Sequence, residues 1–168
     1  MAMDPSISLK ALRLVNSAYY ALRQKVTSVD HAVSPLGIKV VKNLVLTAAV
    51  FETLQSEFDS FLCHSIVCGM AMRAINDHRP RPDLVESSDE ALMAGLLHDI
   101  GKVLFEQYLP EDFEKVRQAS IGNYEQTSSE VEKEIIGVDH AELGARLAVK
   151  WQLSPALVDG IAGHHEPA

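Results

Sequence analysis

The chain has 168 residues, 47% of them apolar and 23% charged, with a formal net charge of −8 and a pI near 5.3. This length and composition fit one globular domain, and the acidic balance argues against non-specific binding to a phosphate backbone. Two cysteines give no disulfide framework and no apolar run reaches about eighteen residues, so we expect a soluble, cytoplasmic protein without a membrane span.

The first fifty residues predict helices at about 4–22, 29–36 and 38–50. Ser28 would cap the second of these helices, and Gly37 would separate it from the third. Two short helices around a glycine turn resemble a DNA-binding helix-turn-helix. The helix that would read DNA, residues 38–50, offers only Lys39 and Lys42 as basic residues, however, which favours plain helical packing over direct DNA binding.

The remaining chain also reads as helices, predicted at about 56–76, 88–97, 103–109, 110–119, 128–136, 140–152 and 156–162. Three of them follow capping signals, which are Ser87-x-x-Glu90, Thr127-x-x-Glu130 and Asp139-x-x-Glu142. Residues 78–86 are rich in arginine and proline and predict a surface loop. With no convincing strand pattern, the predicted fold class is all-α.

A polar pair, His98-Asp99, interrupts an apolar stretch where a core helix would otherwise continue. Gly101 is placed to break or bend that helix just beyond the pair. Burying an imidazole beside a carboxylate is costly unless each finds a partner, so the pair predicts a hydrogen-bond network, a cation or a metal. The candidate partners are His64, His140, His164 and His165.

Each of these side chains also has a structural interpretation. His64 fits a satisfied core histidine, His98 and Asp99 could bond each other as a relic, and the last two histidines could be solvated. His140 would lie in the first turn of a helix, where the helix dipole favours a neutral imidazole that acts as a ligand or acceptor. Of seven histidines only His31 and His78 fall outside these segments, which favours a real cluster.

The histidine segments follow the order of a known superfamily. Similarity to the HD superfamily of metal-dependent phosphohydrolases lies in His64-Ser65, Leu97-His98-Asp99-Ile100-Gly101-Lys102, His140-Ala141-Glu142-Leu143-Gly144 and His164-His165-Glu166. A closer resemblance, to the HD-related output domain (HDOD), rests on Asp4-Pro5, Asn16-Ser17-Ala18-Tyr19-Tyr20, Leu36-Gly37 and residues 140–151. This resemblance implies a multi-helix orthogonal bundle in bacterial signalling proteins, joined to other signalling domains and generally regarded as non-catalytic.

HDOD proteins normally have further helices before the Asp-Pro segment and more chain after the double histidine. We therefore expect residues 1–168 to be a single HDOD domain taken from a longer protein. Its N-terminal helical part would be residues 4–50, and its HD-like part residues 51–168.

The resemblance to the catalytic relatives also implies a ligand set, which is His64, His98, Asp99, His140, His164 and His165. Nitrogen and carboxylate ligands without a thiolate suit Fe, Mn, Ni or Zn. In an enzyme Asp99 would be catalytic, and Lys102 would contact a phosphate. The late aspartate and the Gly-Tyr-Pro segment of those enzymes are not seen in this sequence.

Three functional hypotheses follow, in order of preference. The first is a non-catalytic signalling module that acts through contacts with other signalling proteins or a second copy of itself. The second is a metal-dependent phosphohydrolase that acts on a nucleotide or phosphate ester. The third is direct DNA binding through residues 28–50, which the acidic charge disfavours.

Overall fold

The computed structural model describes residues 12, 16, 26–28, 31–33, 41, 45, 58–79, 87–122 and 125–166. The chain divides into two compact units, residues 1–62 and 63–168. Within the described residues all regular structure is helical and no strand occurs, which confirms the all-α prediction. None of the helices in this part of the chain combines the length and the apolar character needed to cross a membrane.

In the first unit the described residues confirm one predicted feature and correct another. Ser28 caps a helical turn, because its Oγ accepts a hydrogen bond from the backbone N–H of His31 at 3.2 Å. Asn16 was expected near the end of a helix but lies in a turn, where its side-chain amide pairs with the N–H and C=O of Val26, both at 2.8 Å. Most of the predicted helices over 4–22 and 38–50, and with them the helix-turn-helix, lie outside the described residues.

The helices described beyond residue 57 are α1 (Phe58–His78), α2 (Ser88–Leu97), α3 (Ile100–Tyr108), α4 (Pro110–Ser120), α5 (Ser128–Ile136), α6 (His140–Lys150) and α7 (Pro155–Gly163). The first extends to His78, the start of the predicted 78–86 loop, while residues 80–86 lie outside the described part. Every residue of α2 from Ala91 to Leu97 is buried. A helix that is apolar on all sides must be covered on all sides, so α2 is the central helix of the second unit.

Side chains cap four of these helices, three of them at the capping signals of the sequence. The N-cap residues, each accepting a hydrogen bond from the N–H three residues ahead, are Ser87, Thr127, Asp139 and Ser154. Thr127 and Glu130 form a complete capping box. The Glu90 carboxylate accepts a hydrogen bond from Ser154 Oγ, which joins the start of α2 to the start of α7.

The break between α2 and α3 falls on His98 and Asp99 themselves, not at Gly101. Both residues lie in a turn, and Gly101 is the second residue of α3. A Cβ at Gly101 would lie only 2.0 Å from the carbonyl oxygen of His140. Gly101 therefore allows close packing. Because it has no side chain, α3 can approach the first residue of α6, and Asp99 comes beside His140.

A second close approach joins α1 and α2. A Cβ on Gly95 would lie 2.6 Å from Gly69 Cα, and a Cβ on Gly69 would lie 2.8 Å from the carbonyl oxygen of Leu92. The two backbones therefore touch with no side chain between them. This contact brings His64, which lies on α1, close to His98 at the end of α2.

We expect Gly101→Ala to lower the free energy of unfolding by about 3 kcal/mol or more, because the methyl group would have to displace backbone rather than a flexible side chain. Gly160→Ala in α7 is the control, since its Cβ would meet Ala94 Cβ at an ordinary 3.7 Å. It should leave stability unchanged or raise it by up to about 1 kcal/mol. Urea unfolding followed by circular dichroism measures both variants, and equal stability of Gly101→Ala and wild type would contradict the close approach.

Candidate metal centre

The structure brings together all six side chains of the expected ligand set within the second unit. His64 lies on α1, His98 and Asp99 form the turn between α2 and α3, and His140 is the first residue of α6. His164 and His165 follow the last residue of α7. Four segments that are distant in sequence thus meet at one place.

The carboxylate of Asp99 lies at the centre of this arrangement and is 4% exposed. Its Oδ1 is 3.2 Å from His140 Nε2 and 3.7 Å from His164 Nε2. Its Oδ2 is 3.4 Å from His98 Nε2 and 3.5 Å from His64 Nε2. Each oxygen therefore faces a different pair of imidazoles, and the carboxylate bridges the two pairs.

Burial alone would raise the pKa of the Asp99 carboxyl. Hydrogen bonds from His140, His164 and His98 and the charge of Lys102 outweigh burial and hold that pKa far below its usual range. Lys102 Nζ lies 2.9 Å from Oδ1. The site therefore contains a fixed negative charge surrounded by imidazole nitrogens.

Two neighbouring sets of ligand atoms could hold a metal ion. The His140 group consists of Asp99, His140, His164 and His165, and the His64 group consists of His64, Cys68 and His98. Within each group the ligand atoms lie within 4.8 Å of one another. The His140 group is the more compact, with Nε2–Nε2 distances of 3.1 Å between His140 and His164 and 2.7 Å between His140 and His165.

Hydrogen bonds at the opposite ring nitrogen orient two of the histidines, His98 and His164. His98 Nδ1 and His164 Nδ1 each lie 2.8 Å from the backbone carbonyl three residues earlier, that of Gly95 and Ile161 respectively. A carbonyl can only accept, so each Nδ1 carries a proton, and Nε2 is the ring nitrogen that faces Asp99. Imidazole nitrogens thus surround a buried carboxylate, and ligands of this kind fit a divalent transition metal.

Glu132, on α5, is a site residue that the sequence reasoning missed. It is completely buried, and its Oε2 accepts hydrogen bonds from His140 Nδ1 at 2.5 Å and from the His140 backbone N–H at 2.8 Å. Its Oε1 accepts one from Ser128 Oγ at 3.2 Å. Metal-binding histidines usually donate their other N–H to a carboxylate or carbonyl, and that regularity was the available signal.

The expectation of a neutral His140, based on the helix dipole, is corrected by its surroundings. Burial lowers the pKa of this imidazole, but hydrogen bonds to Asp99 and Glu132 outweigh burial and raise it above its usual value. The pKa of the neighbouring His165 is lowered by burial and by the charges of His164 and His140. Two nearby carboxylates therefore dominate over the dipole at position 140.

Cys68 is the second residue that the sequence reasoning missed. It lies one turn after His64 on α1, and its Sγ is 3.7 Å from His64 Nε2 and 3.9 Å from His64 Nδ1. Burial and the charge of Asp99 raise the pKa of this thiol. The i, i+4 spacing of His64 and Cys68, which places two side chains on one face of a helix, was the signal in the sequence.

An open cavity of about 660 Å³ lies beside the two imidazoles of His98 and His164. Its walls come from α1, α2 and α7, and most of the lining side chains are small or apolar. Cys68 is part of the lining. The site is thus accessible to a small molecule from this side.

Asp139 fixes the start of α6 and so the position of His140. One carboxylate oxygen accepts a hydrogen bond from the N–H of Glu142 at 2.8 Å. The other accepts from Ser129 Oγ at 2.6 Å and lies 2.9 Å from Lys133 Nζ. Burial would raise the pKa of Asp139, but these three donors outweigh it and lower the pKa.

The family model of the HDOD domain matches residues 1–167. The chain belongs to the HDOD family. The sequence resemblance is therefore confirmed over almost the whole chain.

Two solved structures and one curated protein illustrate the similarity. A candidate phosphohydrolase from Shewanella amazonensis SB2B is 28% identical, with 98% of this chain and 58% of that chain covered and a TM-score of 0.75. A candidate signal transduction protein from Marinobacter aquaeolei VT8 is 26% identical, with 98% and 38% covered and a TM-score of 0.76. An uncharacterized protein from Treponema pallidum (strain Nichols) is 25% identical, with 98% and 32% covered. This HDOD domain thus spans about a third of the length of the curated relatives it matches.

The lowered pKa of Asp139 predicts how stability depends on pH. The ionised carboxylate stabilises the fold fully above the pKa of an unfolded aspartate, about 3.9, and this contribution is lost as the pH falls through and below that value. Asp139→Asn keeps a good N-cap but removes the charge that faces Lys133. We expect the variant to show a weaker loss of unfolding free energy between about pH 5 and pH 3. Urea titrations across that range measure it, and parallel curves for variant and wild type would contradict the prediction.

Proposed function

We propose that this HDOD domain is a signal-transduction module whose His/Asp pocket binds a divalent transition metal. The observation that carries the proposal is the convergence of imidazole Nε2 atoms on the two oxygens of Asp99. The proposed ligands are His64, His98, Asp99, His140, His164 and His165.

The arrangement behind the ligands supports a metal over a simple hydrogen-bond network. The Nδ1 atoms of His98 and His164 donate to carbonyls, which leaves the Nε2 of each ring facing the Asp99 carboxylate. Glu132 bonds Nδ1 of His140, so the Nε2 of this ring also faces Asp99. Imidazole and carboxylate ligands of this kind suit Fe, Mn, Ni or Zn.

The signalling role rests on the family and on the length of its members. This chain covers 38% of the candidate signal transduction protein it resembles, which leaves room for further domains in proteins of that kind. We infer that the module passes a state to other signalling proteins by direct contact. Its two free cysteines suit a reducing compartment such as the cytoplasm.

A metal-dependent phosphohydrolase is the second candidate function, and one observation favours it. Asp99 turns one oxygen toward the His140 group and the other toward His64 and His98, an arrangement that suits a pair of neighbouring metals. Such metals, when bound, lower the pKa of water and polarise a phosphate ester. Against this candidate, Lys102 is ion-paired with Asp99 rather than directed at a substrate phosphate. The regulatory module is therefore the preferred proposal.

Elemental analysis tests the metal directly. Protein purified without chelator should contain a stoichiometric transition metal, and Asp99→Ala or His140→Ala should lose it because each removes a central ligand. His78→Ala is the matched control, since this exposed histidine on α1 lies outside the proposed ligand set and bonds the Ala74 carbonyl. Retention of metal by the Asp99 and His140 variants, or its loss in the control, would contradict the proposed ligand set.

A screen of phosphodiester and nucleotide substrates on the same preparations separates the two candidates. Metal without turnover supports the signalling module. Turnover that disappears in Asp99→Ala supports the phosphohydrolase. If the protein shows no bound metal and no turnover, both candidates are contradicted and the pocket is a hydrogen-bonded relic.

Glu132→Gln should weaken metal binding by roughly 10- to 100-fold, because the side chain that orients His140 loses its charge while its volume is preserved. Glu142→Gln is the control, because this carboxylate on α6 faces Arg146 at the surface. Competition with a fluorescent chelator measures both affinities. Equal affinities for Glu132→Gln and wild type would show that Glu132 does not support the site.

A further inference from the structure

We propose that Cys68 is a thiolate ligand that completes a second metal position with His64, His98 and Asp99. The inference rests on the proposed function, since it concerns the same pocket, but it adds a ligand type that the resemblance does not supply. It also distinguishes the two positions chemically. The His140 group offers nitrogen and oxygen ligands, whereas the His64 group together with Asp99 offers nitrogen, sulfur and oxygen ligands.

Spacing between the ligand atoms supports this assignment. His64 Nε2 lies 3.2 Å from His98 Nε2, 3.7 Å from Cys68 Sγ and 3.5 Å from Asp99 Oδ2. Ligands on a tetrahedral zinc, with bonds of about 2.0–2.1 Å to nitrogen and about 2.3 Å to sulfur, would be separated by roughly 3.4 Å for nitrogen pairs and roughly 3.6 Å for nitrogen and sulfur. His64 Nε2 therefore lies close to the separation that such an ion requires from each of the other three atoms.

The orientation of the ligands points the same way. His98 donates through Nδ1 to the Gly95 carbonyl, so Nε2 is the ring nitrogen that faces His64 and Asp99. Cys68 and His64 project from the same face of α1, one turn apart. Gly69 follows Cys68 directly, and Gly95 lies three residues before His98. The backbone contact between these two glycines fixes α1 against the end of α2. The site is therefore built from two rigid helices and one turn.

A thiolate changes which metal the position prefers. Sulfur ligands select softer ions such as zinc, whereas a site of nitrogen and oxygen alone also accommodates manganese. Binding replaces the proton of the Cys68 thiol, which leaves to solvent. We therefore expect the His64 group to bind zinc or cobalt in preference to manganese.

Cobalt substitution tests the ligand directly, because a thiolate bound to Co²⁺ gives a sulfur-to-cobalt charge-transfer absorption in the near ultraviolet. The full chain, stripped of metal with a chelator, is titrated with Co²⁺ while bound cobalt is counted by elemental analysis. The band should appear in wild type and in Cys63→Ser and be absent in Cys68→Ser. Cys63 is the matched control, an exposed free cysteine on the same helix.

Alkylation provides a second readout that needs no variant. Bound Zn²⁺ should slow the iodoacetamide labelling of Cys68 by at least about tenfold, because the free thiolate is the reactive species, and should leave Cys63 unaffected. Mass spectrometry of the two peptides gives both rates in one sample. Equal rates for Cys68 with and without zinc would overturn the inference.

The outcomes separate this inference from the proposed function. Stoichiometric cobalt without the charge-transfer band, or a band that survives in Cys68→Ser, overturns the role of Cys68 and leaves a nitrogen and oxygen metal site intact. Failure to bind cobalt, zinc or any other transition metal overturns both. A band lost in Cys68→Ser, with labelling protection in wild type, establishes the thiolate ligand.

Discussion

The buried carboxylate of Asp99 is the constraint on which the rest of the second unit depends. A charge that is 4% exposed has almost no water to solvate it, so the protein must supply the solvation. It does so with imidazoles from α1, the α2–α3 turn, α6 and the end of α7, and with the ammonium of Lys102. Removing partners from such a centre leaves an uncompensated buried charge, which costs far more than the net value of the contacts.

Backbone contacts, more than side-chain packing, set the dimensions of this centre. Gly101 lets α3 touch the first residue of α6, and Gly69 and Gly95 let α1 touch α2. Had either contact been spaced by side chains, the imidazoles would stand too far apart to share one carboxylate. The glycines on these faces therefore act on the site through the distance between helices and not through their own flexibility.

Features determined by local chemistry could be predicted from the sequence, and features determined by tertiary contact could not. The N-caps at Ser87, Thr127, Asp139 and Ser154 depend on groups within three residues, and the order of the histidine segments identified the family. The role of Gly101 and the contribution of Glu132 depend on partners on other helices. His140 shows the conflict directly, because the local helix dipole favours a neutral ring whereas Asp99 and Glu132 raise its pKa.

The two ligand groups differ in their access to solvent, and this difference suits a regulatory role. The side chain of His140 is fully buried and is held by the equally buried Glu132, whereas the side chain of His64 is 54% exposed. Because Asp99 turns one oxygen toward His140 and the other toward His64, a charge beside one oxygen changes the field at the other. In the proposed module, the shared carboxylate would therefore couple an ion bound on the buried side to an ion bound on the exposed side.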